Sequence, residues 1–199
     1  MRAGLVLVTG ANGFVGEWTV IALLRAGFGV RGKVRSEDRA EAVRWAVVQQ
    51  LGESALQRLS FVQTDLMQDD GWAAAMQGVD AVDHVAAQIV AHEPRDMQEV
   101  IGPALEGTER VLRHMRAANI GRVVMTSSIA AVGYGHGQVS GRRSYSEEHF
   151  TNLEAMQFTW AYCIGKTRAE RLAWAYARSQ GLVLTTIHPG AILGPALDA

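Results

Sequence analysis

Lysine is almost missing from this chain. Only Lys33 and Lys166 occur in 199 residues, and arginine supplies the rest of the 19 basic side chains. Cysteine is scarcer still, and Cys163, standing alone, excludes an internal disulfide. No apolar run approaches the roughly 18 to 20 residues that a membrane-spanning helix needs. The first apolar stretch begins within a few residues of Met1, which leaves no room for a signal peptide, so a cytoplasmic location is expected. Charge of neither sign is in excess: the net value is −1 and no basic block appears, so there is no electrostatic footprint for nucleic acid. The six histidines are scattered without ligand-like spacing, and no metal is expected. What remains is a chain that is 48% hydrophobic, long enough for one full core and too short for two ordinary domains. Residues 1–199 are read as a single domain.

The informative stretch comes first. The apolar run Leu5-Val6-Leu7-Val8 meets Thr9 and then Gly10-Ala11-Asn12-Gly13-Phe14-Val15-Gly16, which reads as strand, tight turn and helix. Gly10 permits the turn, Gly13 lets backbone approach a pyrophosphate, and Gly16 lets the helix pack against the strand. Asn12, Phe14 and Val15 fall in the same turn and helix start and join the glycines as candidate cofactor contacts. An amphipathic pattern through Ala26 and a strand from Phe28 to Val34 complete a strand-helix-strand unit, so the expected ligand is a dinucleotide. The second strand ends in cations, where an NAD-binding chain would usually place an acid. Arg35, with Lys33 or Arg39, suits the 2′-phosphate of NADP, a guanidinium being a bidentate and permanent cation. NADP is therefore the preferred cofactor and NAD the alternative.

Further along, Ser36 to Gln57 is helical with a break at Gly52, and Leu59 to Val62 is a third strand ending at Thr64-Asp65-Leu66. Asp65, at this strand end, suits the cap of a helix over Asp69–Met76. A fourth strand, Ala81 to Ala87, ends in small residues, and Ala86 and Ala87 let backbone lie against a cofactor. His84 within it reads as a hydrogen-bonded core residue. A long helix from Asp96 to Ala118 is expected to break at Gly102-Pro103. Arg122 to Ser128 is a fifth strand running into hydroxyls. A loop over Ile129–Phe150 follows it, then a helix from Asn152 to Gln180 and a sixth strand from Leu182 to Ile187. On that last helix Tyr162 and Lys166 are four residues apart and share a face.

The glycine spacing, the Pro103-Ala104-Leu105-Glu106-Gly107-Thr108 stretch and Tyr162-Cys163-Ile164-Gly165-Lys166 together resemble the extended short-chain dehydrogenase/reductases, in particular the dihydroflavonol reductase and cinnamoyl-CoA reductase branch. The resemblance implies a doubly wound parallel sheet in the order 3-2-1-4-5-6 with helices on both faces. It implies that Ser128 polarises a substrate carbonyl, and that Tyr162 exchanges a proton with its oxygen. Lys166 would favour the phenolate and bind the nicotinamide ribose, and Asp65 with Leu66 would flank the adenine. Pro189, Gly190 and Ile192 would hold the carboxamide through backbone groups. Chemistry agrees: an alkoxide left by hydride transfer needs a proton, and a cation beside a phenol brings its proton within reach of neutral pH. The expected activity is reduction of a small ketone or aldehyde, or oxidation of the alcohol. A nucleotide-sugar epimerase or dehydratase, and a non-catalytic NADP-binding protein, are the other readings. Extended members continue past the position of Ala199 with a domain that closes over substrate, so part of the pocket wall is expected from elsewhere. Gly133 stands where plant flavonoid reductases carry an asparagine, which argues against a flavonoid substrate. The long helices offer a surface for a homo-oligomer.

Overall fold

The computed structural model describes residues 4–87, 94–137, 141–156 and 160–197. Six strands, β1 (Leu5–Thr9), β2 (Gly29–Val34), β3 (Leu59–Gln63), β4 (Ala81–His84), β5 (Arg122–Thr126) and β6 (Val183–Ile187), alternate with five helices, α1 (Phe14–Arg25), α2 (Glu37–Leu51), α3 (Trp72–Met76), α4 (Gln98–Ala117) and α5 (Ala161–Gln180). The sheet order is β3-β2-β1-β4-β5-β6, with every pairing parallel.

The period-2 alternation of β1 explains the two-layer core. Val6 and Val8 face one side and pack with Val20, Ile21 and Leu24 of α1 and with Val43 and Val47 of α2. Leu7 faces the other, where Trp72, Val111, Leu112, Met115, Ala169 and Ala173 close over it. Chain order reverses between β1 and β4, and a crevice forms there at the carboxyl ends of the strands.

Several expected boundaries move, each for a local reason. The long fourth helix does not break at Gly102-Pro103: α4 runs unbroken with Pro103 inside it. Proline removes the N–H that would bond the Glu99 carbonyl. Packing along α5, where Gly165 faces Ala104 and Ile101, holds the helix regardless. The fifth helix starts at Ala161 and not at Asn152. At Asn152 the side chain accepts hydrogen bonds from the Glu154 and Ala155 N–H groups and closes a turn. Likewise the Asp69–Met76 helix shrinks to Trp72–Met76, with Gly71 before it in the left-handed region. Asp65 does not cap it; its carboxylate accepts from the Met67 N–H and shapes the turn after β3. The fourth strand ends at His84, after which Val85 to Ala87 run along the crevice. Within the loop after β5, Ile129–Ala131 form a single 3-10 turn, capped by Ser128 Oγ accepting from the Ala130 N–H.

Candidate active site

The crevice is a cavity of about 870 Å³. Its lining includes Gly10, Asn12, Gly13, Phe14, Val15 and Gly16 from the first turn, Arg35 after β2, Asp65 and Leu66 after β3, Ala86 and Ala87 after β4, Ser128 after β5, Tyr162 and Lys166 on α5, and Pro189, Gly190 and Ile192 after β6, all singled out in the sequence.

The three glycines of the first turn are there for different reasons. Gly10 has φ +67°, and a Cβ on it would come within 2.9 Å of Ala86 Cα. A Cβ on Gly16 would sit 1.9 Å from the Gly10 carbonyl oxygen, so this glycine lets α1 approach the turn. Gly13 differs: its backbone is extended, it is exposed, and its nearest contact for a Cβ is 3.4 Å away. No protein neighbour demands a glycine at 13. What its bareness leaves is open approach to the N-terminus of α1, where no side chain caps the helix. An anion fits there, held by N–H groups and the positive end of the helix dipole.

The cationic end of β2 divides into two parts. Arg35 is exposed at the cavity rim, whereas Lys33, read from sequence as a second phosphate partner, is only 5% exposed and forms part of the wall. Strand alternation turns Lys33 inward. Burial lowers its pKa, Asp65 opposes that, and Arg35 adds to it. Arg39 is exposed on α2 and does not line the cavity.

His84 is the expected core histidine. The Ala86 N–H donates to Thr9 Oγ1 at 3.1 Å, leaving the threonine hydroxyl to donate to His84 Nδ1 at 2.9 Å. His84 Nε2 then donates to Thr108 Oγ1 at 3.4 Å, and Thr108 donates to the Ala104 carbonyl. That chain requires a neutral ring. Complete burial, with Lys166 and Lys33 nearby, pushes its pKa down to about 3.

At the opposite end of the cavity, Tyr162 lies in the first turn of α5, with Lys166 one turn on. Lys166 Nζ is 5.9 Å from the centre of the Tyr162 ring and donates to the Thr126 carbonyl at 2.9 Å. Burial lowers the lysine pKa to about 8 against the partial support of Glu170. Trp160 packs tilted against Tyr162 and edge-on to Tyr134, making an aromatic wall beside the phenol. A second cavity of about 670 Å³ opens next to this end, lined by Ile129, Val132, Tyr134, Tyr145 and His188 among others.

Sequence reasoning missed the inward turn of Lys33 and the buried carboxylate of Glu170. Glu170 follows Lys166 by four residues on the stripe shared with Ala169, Ala173 and Ala177, and that spacing was the available signal. The loop after β3 is also clamped in a way the sequence did not reveal. Trp72 Nε1 donates to the Asp65 and Gln68 carbonyls, and Arg110 bridges the Leu66 carbonyl and Asp69.

A parallel sheet in this order, with a glycine turn and an open helix N-terminus at its switch point, defines a dinucleotide-binding α/β domain. The chain belongs to the NAD dependent epimerase/dehydratase family, whose model matches residues 6–198. Among curated relatives, dihydroflavonol 4-reductase from Zea mays is 38% identical over 201 residues, covering 98% of this chain and 55% of that protein. Cinnamoyl-CoA reductase CAD2 from Medicago truncatula is 34% identical over 198 residues, covering 98% and 59%. Among solved structures, yeast methylglyoxal/isovaleraldehyde reductase Gre2 complexed with NADPH superposes with a TM-score of 0.80 at 26% identity, over 96% of this chain and 59% of that one. The chain thus spans between half and three-fifths of the length of these relatives.

Proposed function

We propose that this chain is the cofactor-binding and catalytic part of an NADPH-dependent oxidoreductase that reduces the carbonyl of a small ketone or aldehyde. The observation that carries the reading is one cavity shared by the glycine turn at one end and by Ser128, Tyr162 and Lys166 at the other. The relatives named as reductases, and the neighbour named as an NADPH complex, support it.

Gly13 and the uncapped start of α1 receive the pyrophosphate, Asp65 and Leu66 flank the adenine, and Arg35 at the rim takes the 2′-phosphate. Ala86, Ala87 and the Pro189–Gly190 backbone face the nicotinamide end. The nicotinamide, when bound, supplies a hydride to the carbonyl carbon. Tyr162 gives its proton to the carbonyl oxygen as negative charge develops there, and Ser128 donates a hydrogen bond to that oxygen. Lys166, held by the Thr126 carbonyl, provides the positive charge that favours the phenolate. The Tyr134, Trp160 and Ile129 side chains give the substrate side an apolar lining.

The test is a carbonyl-substrate screen with NADPH on wild type and Tyr162→Phe. The phenylalanine variant is expected to lose turnover and keep its NADPH affinity; full activity in that variant would refute the assignment.

A further inference from the structure

Glu170 takes no part in the chemistry above, yet it is 2% exposed and sits one turn beyond Lys166. Its carboxylate accepts from three donors on different parts of the chain. Ser127 Oγ donates to it from the end of β5, His188 Nε2 lies 2.8 Å from both carboxylate oxygens at the end of β6, and Trp174 Nε1 donates at 3.3 Å from the next turn of α5. An ionised carboxylate has acceptors for all three; an amide in its place would set its own N–H against one of the donors.

The backbone around this carboxylate is fastened in the same sense. The Ser127 N–H donates to the Ile187 carbonyl at 2.8 Å, and the Ile129 N–H donates to the Pro189 carbonyl at 3.0 Å. These bonds continue the β5–β6 ladder past the ends of both strands. Ser128 is bracketed between them and lines the cavity with Pro189 and Gly190. Glu170 does not line that cavity, and His188 lines only the smaller one beside it.

We propose that Glu170 and His188 act as one positioning unit, fixing the Ser128 hydroxyl and the Pro189–Gly190 backbone relative to Lys166. The inference rests on the roles given to Ser128 and Lys166 under the proposed function. Because the unit sits at the nicotinamide end, the adenosine end of the cavity lies outside its reach. Positioning of this kind acts on turnover more than on binding, since small misplacements of a reacting group cost about 10- to 100-fold in rate.

The experiment compares wild type, Glu170→Gln, His188→Asn and the double variant. Amide hydrogen exchange on the ligand-free protein is expected to show faster exchange at both 127–131 and 187–190 in each single variant, with little further change in the double. Affinity for adenosine 2′,5′-bisphosphate is expected to stay within about twofold, while kcat falls about tenfold or more with a smaller change in KM for NADPH. Unchanged exchange at either segment, or losses that multiply in the double variant, would overturn the unit. His188→Asn, at a half-buried position, keeps the test open if Glu170→Gln folds poorly. A wild type that binds no NADPH overturns the functional reading instead, and the exchange data still decide whether Glu170 and His188 work together.

Discussion

Replacing Lys166 by methionine should stabilise the fold while abolishing turnover. The lysine is 7% exposed, and burial lowers its pKa from 10.5 to about 8, so the folded state disfavours the charged amine. At about 1.36 kcal/mol per pH unit, that displacement corresponds to about 3 kcal/mol carried by the native state at pH 7, below both values. Methionine matches the aliphatic stem but leaves the Thr126 carbonyl without its 2.9 Å donor, which returns about 1 to 2 kcal/mol. A net gain of about 1 to 2 kcal/mol remains, or roughly 2 to 8 °C in Tm for a chain of this size. The sign follows from the direction of the displacement. The penalty is complete below pH 8 and disappears as pH rises toward the unfolded value near 10.5, so the advantage of Lys166→Met should vanish across that interval. Thermal melts of both proteins at pH 7 and at pH 10.5 provide the assay. A variant less stable than wild type by the same margin at both pH values would refute the reasoning, because Lys166 would then be acting through its contacts and not through a buried charge.

Three further perturbations test separate parts of the account. Arg35→Ala removes the exposed guanidinium at the rim; loss of a charge-assisted contact worth about 1.5 to 3 kcal/mol should raise the NADPH Kd by roughly 10- to 100-fold and leave that for NADH unchanged, as read by fluorescence titration. Gly16→Ala drives a Cβ to 1.9 Å from the Gly10 carbonyl oxygen, backbone against backbone; a loss of about 1 to 3 kcal/mol or more in denaturant melts is expected, together with weaker cofactor binding. Asp83 in β4 is buried enough that its pKa rises from 3.8 to about 6. Its charged form therefore costs the native state about 3 kcal/mol above pH 6 and nothing below about pH 4, and Asp83→Asn should raise Tm at pH 8 with no gain at pH 4.

The parts of this molecule written in local pattern were legible from the residues alone. Leu5 to Val8 followed by three spaced glycines specifies a strand, a turn and a close-packed helix, and the sheet order followed from the resemblance those residues carry. Positions decided by distant neighbours were not legible. Pro103 stays inside a helix that packs along α5, and no feature near Pro103 announces that. Lys33, read as a second phosphate partner beside Arg35, is a buried residue of the cavity wall, because its strand face, set by pairing with β1 and β3, turns inward. Glu170 draws two of its three donors, Ser127 and His188, from strand ends that only the fold brings to it, and the third, Trp174, from one turn along its own helix.

The most direct test of the central claim is fluorescence titration of the 199-residue chain with NADPH and, on the same preparation, with NADH. Saturable binding at one site per chain is expected, with NADPH favoured at least tenfold through Arg35, about 1.4 kcal/mol. Absence of binding to either nucleotide, or an equal or stronger response to NADH, would contradict it.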